Sequence, residues 1–352
     1  MKLIDKLDGY VLYIYNNGTV TEKINGYCEV RPNKVLTTKD TYYDIASLTK
    51  TYTSVLVFMA QEEGLLNIDD VITKYDKNYV NLGDITIKKL LCHNQEIWTD
   101  GYLGDAKSKN EFYKILYSAY VKYKVPKYVD VDYIILGKLL EDIYGMTLDK
   151  IIEEKIIKRL GLKHTTFNPT GSIASMNYEN REELNISLGE LHDKKARNAK
   201  KIGITTGHAS LFTNGEDLLL FLEALVNNKL VSKETINVML DHYDINKLNK
   251  DNGYECKTYN FFGTRYYNYI DSINDVPYDY EGLVSFSGYT GPRFLIDFKR
   301  KIIIVLMCNV VHNTLMTRDE KNYFMKHVVY EIYDECIKWG GVHVWTCFWI
   351  QT

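Results

Sequence analysis

The chain is 352 residues long, which suggests two intimately packed subdomains rather than one core or a string of modules. An apolar content of 45% and a charged content of 25% are ordinary for a soluble globular protein. The formal net charge of -3 argues against nucleic acid or an anionic membrane as the main partner.

The opening stretch "MKLIDKLDGYVLYIYNNGTV" lacks the uninterrupted apolar run and small-residue cleavage site of a signal peptide, so a cytoplasmic location is expected. No segment approaches the length of a membrane span. Six cysteines without a CxxC pair read as reduced, mostly buried thiols, not as a disulfide framework or a zinc site. "GYVLYIYNNGTVTEKINGYCEV" alternates apolar and polar residues around Asn17-Gly18 and predicts a hairpin. After Tyr43 the period becomes helical, and that helix ends at Gly64. "DITIKKLLCHNQEI" predicts a second helix with Thr86 as its N-cap. "VDVDYIILGKLLEDIYG" and "TLDKIIEEKIIKRLG" read as consecutive amphipathic helices, each closed by a glycine, with Thr147 capping the second.

From about Ser172 to Gly207 the sequence is polar without a clear period and reads as a long loop. "NGEDLLLFLEALVNN" is helical again. From Leu283 the strands "LVSFSGYTG", "RFLIDF" and "IIIVLMCNVV" follow one another, and the amphipathic "RDEKNYFMKHVVYEIYDECI" predicts a last helix. Strands at both ends and helices between them imply an α/β domain formed by residues 1–75 and 205–338, with a mainly helical domain, 76–204, inserted. A cleft between two such domains is the expected ligand site. The segment "DHYDINKLNKDNGYECKTYNFFGTRYYN" is a candidate for its wall. The Trp-rich tail, 339–352, is given no role.

Ser47 and Lys50 stand one helical turn apart at the start of an apolar helix. A buried ammonium is expensive unless it is paired or gives up its proton. Lys50 is therefore either a satisfied structural charge or an amine kept to activate Ser47. The S-x-x-K spacing alone is weak, but at i and i+3 the two side chains share a helix face. The positive end of the helix dipole disfavours an ammonium and favours a developing oxyanion, which suits a neutral lysine beside a nucleophile.

"IASLTK", "DITIKKLLCHNQEI", "YVDVDYIILGKLLE", "GLKHTTFNP", "GHASLFTNGEDLLLFL" and "SFSGYTGPRFLIDFKRKIIIVLMCNVVH" occur in the order found in serine β-lactamase-related hydrolases. From Gly9 to the last helix the chain resembles the class C β-lactamase, D-alanyl peptidase (penicillin-binding-protein-like) and esterase group. The resemblance implies an α+β fold, β-lactamase/transpeptidase-like, with an antiparallel sheet flanked by helices. It implies Ser47 as the acylated nucleophile, Lys50 as its partner, and Tyr128 as the tyrosine of the family's Y-x-N motif, which shuttles the nucleophile's proton. A nearby cation lets such a phenol act as a base near neutral pH.

Asp130 stands where the family usually has asparagine. A carboxylate only accepts, so Asp130 holds Lys50 charged, takes a hydrogen bond from a substrate amide, or caps the following helix. If it holds Lys50 charged, Tyr128 becomes the better general base. The strand triad that elsewhere reads K-T-G or H-T-G falls on Phe286-Ser287-Gly288, with Gly288 letting a substrate lie close to the strand. The amides of Ser47 and Tyr289 would then form the oxyanion hole. Phe286 cannot hold a substrate carboxylate as a cation can, and Arg293 is a candidate substitute by another geometry.

His192, Asp193 and His208, in "GELHDKKARNAKKIGITTGHASLF", resemble a segment of the esterase-like branch and are expected to orient a loop over the cleft. No metal is expected, because no H-E-x-x-H or paired-histidine pattern occurs, and no cofactor, because there is no G-x-G-x-x-G or P-loop. The reading is an acyl-enzyme serine hydrolase acting on a small ester or amide, with esterase activity favoured. The rivals are a D-alanyl peptidase or β-lactamase acting on a D-amino-acid peptide or a β-lactam, and a non-catalytic binding or sensor protein on the same scaffold.

Overall fold

A computed structural model describes residues 2–176, 186–240, 283–312 and 316–338. The tail 339–352 and the 241–268 stretch expected at the cleft wall lie outside the described residues. Strands β1 (Gly9–Asn16) and β2 (Thr19–Glu29) pair across Asn17 and Gly18. Both turn residues hold positive φ, 47° and 94°, which matches the twist of an antiparallel hairpin. The short strands β3 (Val35–Leu36) and β4 (Tyr43–Asp44) lead into helix α1 (Thr49–Glu62), which Gly64 ends with a φ of 73°.

The second expected helix forms only over α2 (Ile87–Leu91), with Thr86 capping the Lys89 amide. His93 then takes a φ of 49° and turns the chain into β5 (Glu96–Trp98), so the helical period of "DITIKKLLCHNQEI" stops early. Helix α3 (Lys109–Tyr117) and strand β6 (Tyr120–Tyr123) follow, and β6 pairs with β5. Then come α4 (Asp130–Tyr144), α5 (Leu148–Ile152), a π-helical turn and α6 (Lys158–Leu160), with Gly145 and Gly161 in left-handed closing positions. Thr147 occupies the N-cap position of α5, but the Leu148 amide donates to the Glu141 carboxylate instead of a threonine hydroxyl.

The long loop expected from Ser172 to Gly207 contains helix α7 (Lys194–Lys201). Its sequence is nearly all polar, and only Ala196 and Ala199 are buried, too little apolar surface to register as a period. Strand β7 (Phe212–Thr213), helices α8 (Gly215–Val226) and α9 (Lys233–Leu240), strands β8 (Leu283–Ser287), β9 (Arg293–Asp297) and β10 (Ile302–Met307), and helix α10 (Arg318–Lys338) complete the described chain.

The main sheet has the order β3-β2-β1-β10-β9-β8, so the first and last strands of the chain meet at its centre. Val11, Tyr13 and Tyr15 of β1 face one core, shared with α1, α4 and α8, while Tyr10, Leu12 and Ile14 face another, beneath α10. Burial on both faces explains why β1 is apolar at nearly every position instead of alternating. The described cysteines, Cys28, Cys92, Cys308 and Cys336, are buried and form no disulfide among the described residues. No helix among the described residues is long and apolar enough to cross a membrane.

Arg293 ties this sheet to α10. It is 0% exposed, and its guanidinium donates to the carbonyls of Gly291 (3.1 and 3.0 Å), Phe324 (3.3 Å) and Met325 (2.7 Å). Burial lowers its pKa to about 10, which leaves it charged at neutral pH. Replacing it with methionine keeps much of the volume and strands those buried carbonyls. Arg293→Met is expected to lose about 3 kcal/mol of stability in urea unfolding.

Candidate active site

Ser47 sits in a 3-10 turn, Ala46–Leu48, immediately before α1. Ala46 holds a φ of 44°, a conformation unfavourable for a residue with a Cβ, and its surroundings enforce it. Asp44 accepts the Ala46 amide at 2.8 Å and the His192 amide at 2.7 Å. Burial raises Asp44 to about 6 in spite of those two donors. The Thr290 hydroxyl donates to the Asp44 carbonyl at 2.7 Å, which fixes the turn to the end of β8. A Cβ on Gly288 would stand 2.4 Å from the Ile45 carbonyl oxygen. The close approach that this glycine permits is thus between β8 and the backbone before Ser47, where sequence reasoning expected a substrate.

Lys50, 0% exposed in its side chain, donates to Ser47 Oγ at 3.0 Å and to Asp130 Oδ1 at 2.9 Å. Burial alone would push the ammonium down, but the charge of Asp130, with Tyr128 also contributing, outweighs it and holds Lys50 above the ordinary lysine value. Of the two alternatives left open for Lys50, this favours the charged lysine held by Asp130 over the neutral amine: a carboxylate in contact outweighs the partial charge of the helix end. Burial opposes the charge on Asp130 as well, and Lys50, His208 and Lys195 overcome it, so the carboxyl lies well below its usual range.

Asp130 is the first residue of α4, after the N-cap Val129, and its carboxylate faces lysines instead of capping the helix. The second lysine is Lys195 of α7, which reaches Asp130 Oδ2 at 2.9 Å and Asp193 Oδ2 at 3.1 Å. His208 Nε2 meets Asp193 Oδ1 at 3.0 Å. Charge thus alternates from Lys50 through Asp130 and Lys195 to Asp193, which His208 meets in turn. The donor atoms of Asp130, Asp193 and His208 lie within 4.8 Å of one another, but the two lysines already supply their cations.

A cavity of about 570 Å³ collects Ser47, Tyr128, Asp130, Phe286, Ser287 and Tyr289 on its wall, together with His192, Asp193 and His208. Lys50 Nζ lies 4.7 Å from the centre of the Tyr128 ring. Phe286 is 9% exposed and packs edge-on against Phe294, so it serves the core as well as the cavity. Arg293 is not brought to the cavity; the expectation that it stands in for the missing strand cation does not hold, because its donors are spent on carbonyls. The cavity wall does carry a cation from elsewhere, Lys321 of α10, whose Nζ lies 4.7 Å from the centre of the Tyr289 ring.

Sequence reasoning missed Asp44, Lys195 and Lys321. Asp44 immediately precedes the quoted "IASLTK" stretch, and Lys195 lies two residues after Asp193 of the noted His192-Asp193 pair, but nothing local distinguishes either from a solvated charge. Burial, then the charges of Lys321 and Arg197, lower His192 to about 4, so it is a neutral imidazole at neutral pH.

The sequence model of the Beta-lactamase family matches residues 2–326. A putative D-alanyl-D-alanine carboxypeptidase of Escherichia coli O157:H7 is 29% identical over 276 residues, 65% of this chain and 63% of that protein. One of Salmonella agona (strain SL483) is 28% identical over 259 residues, 62% of this chain and 60% of that protein. The alignments thus span less than two thirds of these relatives' length. Among solved structures, FmtA from Staphylococcus aureus superposes with a TM-score of 0.68 at 21% identity, over 93% of this chain and 84% of that one. EstCE1, a hydrolase with promiscuous acyltransferase activity, gives 0.69 at 19% over 92% and 95%. A class C beta-lactamase from Rhodobacter sphaeroides gives 0.64 at 16% over 93% and 95%. At these identities the likeness establishes the fold, β-lactamase/transpeptidase-like and α+β.

Two outcomes are expected of the residues around the Ser47 turn. Asp44→Asn offers one acceptor and turns an amide toward the other donor, so it should cost about 1–3 kcal/mol in thermal or urea unfolding. His192 is depressed below the ordinary histidine value, so its contribution is present above that value and lost as pH falls toward about 4. His192→Gln should show a smaller drop in urea midpoint than the wild type between pH 7 and pH 4.5.

Proposed function

The chain belongs to the beta-lactamase family, and from that premise we propose that it is a serine hydrolase acting through an acyl-enzyme on Ser47. The observation that carries this reading is the buried contact of Lys50 with Ser47 Oγ at 3.0 Å, beside Tyr128. Lys50, kept as an ammonium by Asp130, has no vacancy for another proton. Tyr128 therefore carries the proton of Ser47 to the leaving group while the serine oxygen forms its bond to the substrate carbonyl carbon. The backbone amides of Ser47 and Tyr289 are assigned to the oxyanion, and water then releases the acyl group. A binding module without chemistry would gain nothing from a buried lysine held against a serine hydroxyl.

For the substrate we favour a small neutral ester. Phe286 puts an aromatic ring where a strand cation would hold a carboxylate, and one lost charge-assisted hydrogen bond costs about 1.5–3 kcal/mol, roughly ten- to a hundred-fold in binding. One observation supports the second reading, a D-alanyl peptidase or β-lactamase: Lys321 sets a cation on the same cavity wall. The names of the aligned carboxypeptidases agree with it.

Hydrolysis of p-nitrophenyl butyrate and of a chromogenic cephalosporin, by wild type and Ser47→Ala, tests both levels. The ester rate is expected to fall by about 10⁴-fold or more in the variant, with the cephalosporin turned over about ten- to a hundred-fold more slowly than the ester by the wild type. Equal ester rates in wild type and variant would remove Ser47 from the mechanism. Faster, Ser47-dependent cephalosporin cleavage would replace the ester reading with the second one.

A further inference from the structure

His93 and Asp132 form a buried pair that the mechanism above does not use. His93 Nδ1 and Asp132 Oδ2 are 2.7 Å apart, and both side chains are almost wholly enclosed. The pair lies against the proton carrier. The imidazole centre is 4.4 Å from that of the Tyr128 ring, with the planes inclined by 42°, and 5.2 Å from that of Tyr133. The backbone joins the same residues, because the Lys127 amide donates to the His93 carbonyl at 3.0 Å, one residue before Tyr128. Asp132 lies four residues after Tyr128, in the first turn of α4.

The arrangement is costly. His93 holds a left-handed backbone, and Asp132 Oδ1 is buried with no hydrogen-bond partner among the described residues. Well-packed apolar residues often fill such space as stably or more so.

We propose that His93, locked by Asp132, is a positioning residue for Tyr128 that holds the phenol ring against Lys50 and Ser47. This rests on the reading of Tyr128 as proton carrier. Burial keeps the Asp132 carboxyl well above its usual range, with Lys50 opposing. The pair is then net neutral, whether as acid with neutral imidazole or as carboxylate with imidazolium. It fixes the ring without adding charge to a site already set by Lys50 and Asp130. The titratable groups around Tyr128 are Lys50 of α1, Asp130, Asp132 and Tyr133 of α4, and His93 from the turn after α2.

The test uses the full chain with two variants, His93→Phe/Asp132→Leu and Asp132→Asn. The first replaces the pair by apolar groups; the second keeps a partner for Nδ1 but removes the acid. Wild type must first hydrolyse p-nitrophenyl butyrate and be labelled at Ser47 by a fluorophosphonate; failure of both overturns the hydrolase reading, and this proposal with it. Given that activity, each folded variant is expected to lose about 10- to 100-fold in kcat, the scale of a misplaced catalytic group, with KM changed less than about three-fold. The pH profile of kcat should shift in Asp132→Asn, which a purely structural role would leave in place. Wild-type kcat and pH profile in the folded variants, or a loss carried wholly by KM, would overturn the positioning role while leaving Ser47 and Tyr128 in theirs. If the double variant does not fold, Asp132→Asn decides alone.

Discussion

The constraint on which the rest of this site depends is a lysine with no access to water. Lys50 lies inside the first long helix, and desolvating an ammonium is costly enough that the protein must either pair it or neutralise it. It is paired, by Asp130 from the start of α4, and that pairing brings two helices together at the serine. The carboxylate in turn takes a second lysine from α7, and Lys195 takes a second carboxylate. The charges that set the protonation of the site also dock the segment running from His192 to His208 onto it. Removing Asp130 would leave Lys50 buried without the carboxylate that holds its charge, so this pair matters more than an ordinary surface ion pair.

The other side of Ser47 is held by backbone. Ala46 is in a left-handed conformation, and the turn keeps it because Asp44 accepts its amide, Thr290 ties the Asp44 carbonyl, and Gly288 lets β8 come against Ile45. None of these contacts belongs to Ser47 itself. They place it where the helix start, the end of β8 and the Tyr128 loop line one cavity.

Much of this was legible in the sequence, for identifiable reasons. Asn17-Gly18 and the glycines after α1, α4 and α6 are local turn chemistry, and they acted where they stand. Ser47, Lys50, Tyr128 and Asp130 are tied to helix starts, so their convergence could be anticipated from order and spacing. The failures share a cause. Helix α7 buries only two alanines, so no hydrophobic period announces it, and Lys195 stayed hidden inside it. Arg293 was read by its distance along the chain from Phe286, but residues seven apart across a strand turn are sent to different places, and this one faces α10. For Lys50 the sequence left two states open, because the helix dipole and a carboxylate eighty residues away push in opposite directions and only their contact decides between them.

Asp130 and Lys195 are best understood together. An asparagine at 130 could not neutralise the buried Lys50, although its amide could donate to a substrate carbonyl. An aspartate neutralises it, but one lysine leaves the other carboxylate oxygen facing the cavity as an acceptor, a poor neighbour for an incoming carbonyl. Lys195 occupies that oxygen at 2.9 Å. The negative charge of Asp130 is thereby matched on both sides, and what the cavity meets is a filled ion pair instead of a bare anion. On the proposed function, what remains on the cavity wall to orient a substrate is the backbone at Ser47 and Tyr289, the ring of Phe286, and the cation of Lys321. This is why the departure at 130 and the departure at 286 bear on the same property, the charge a substrate can carry into the site.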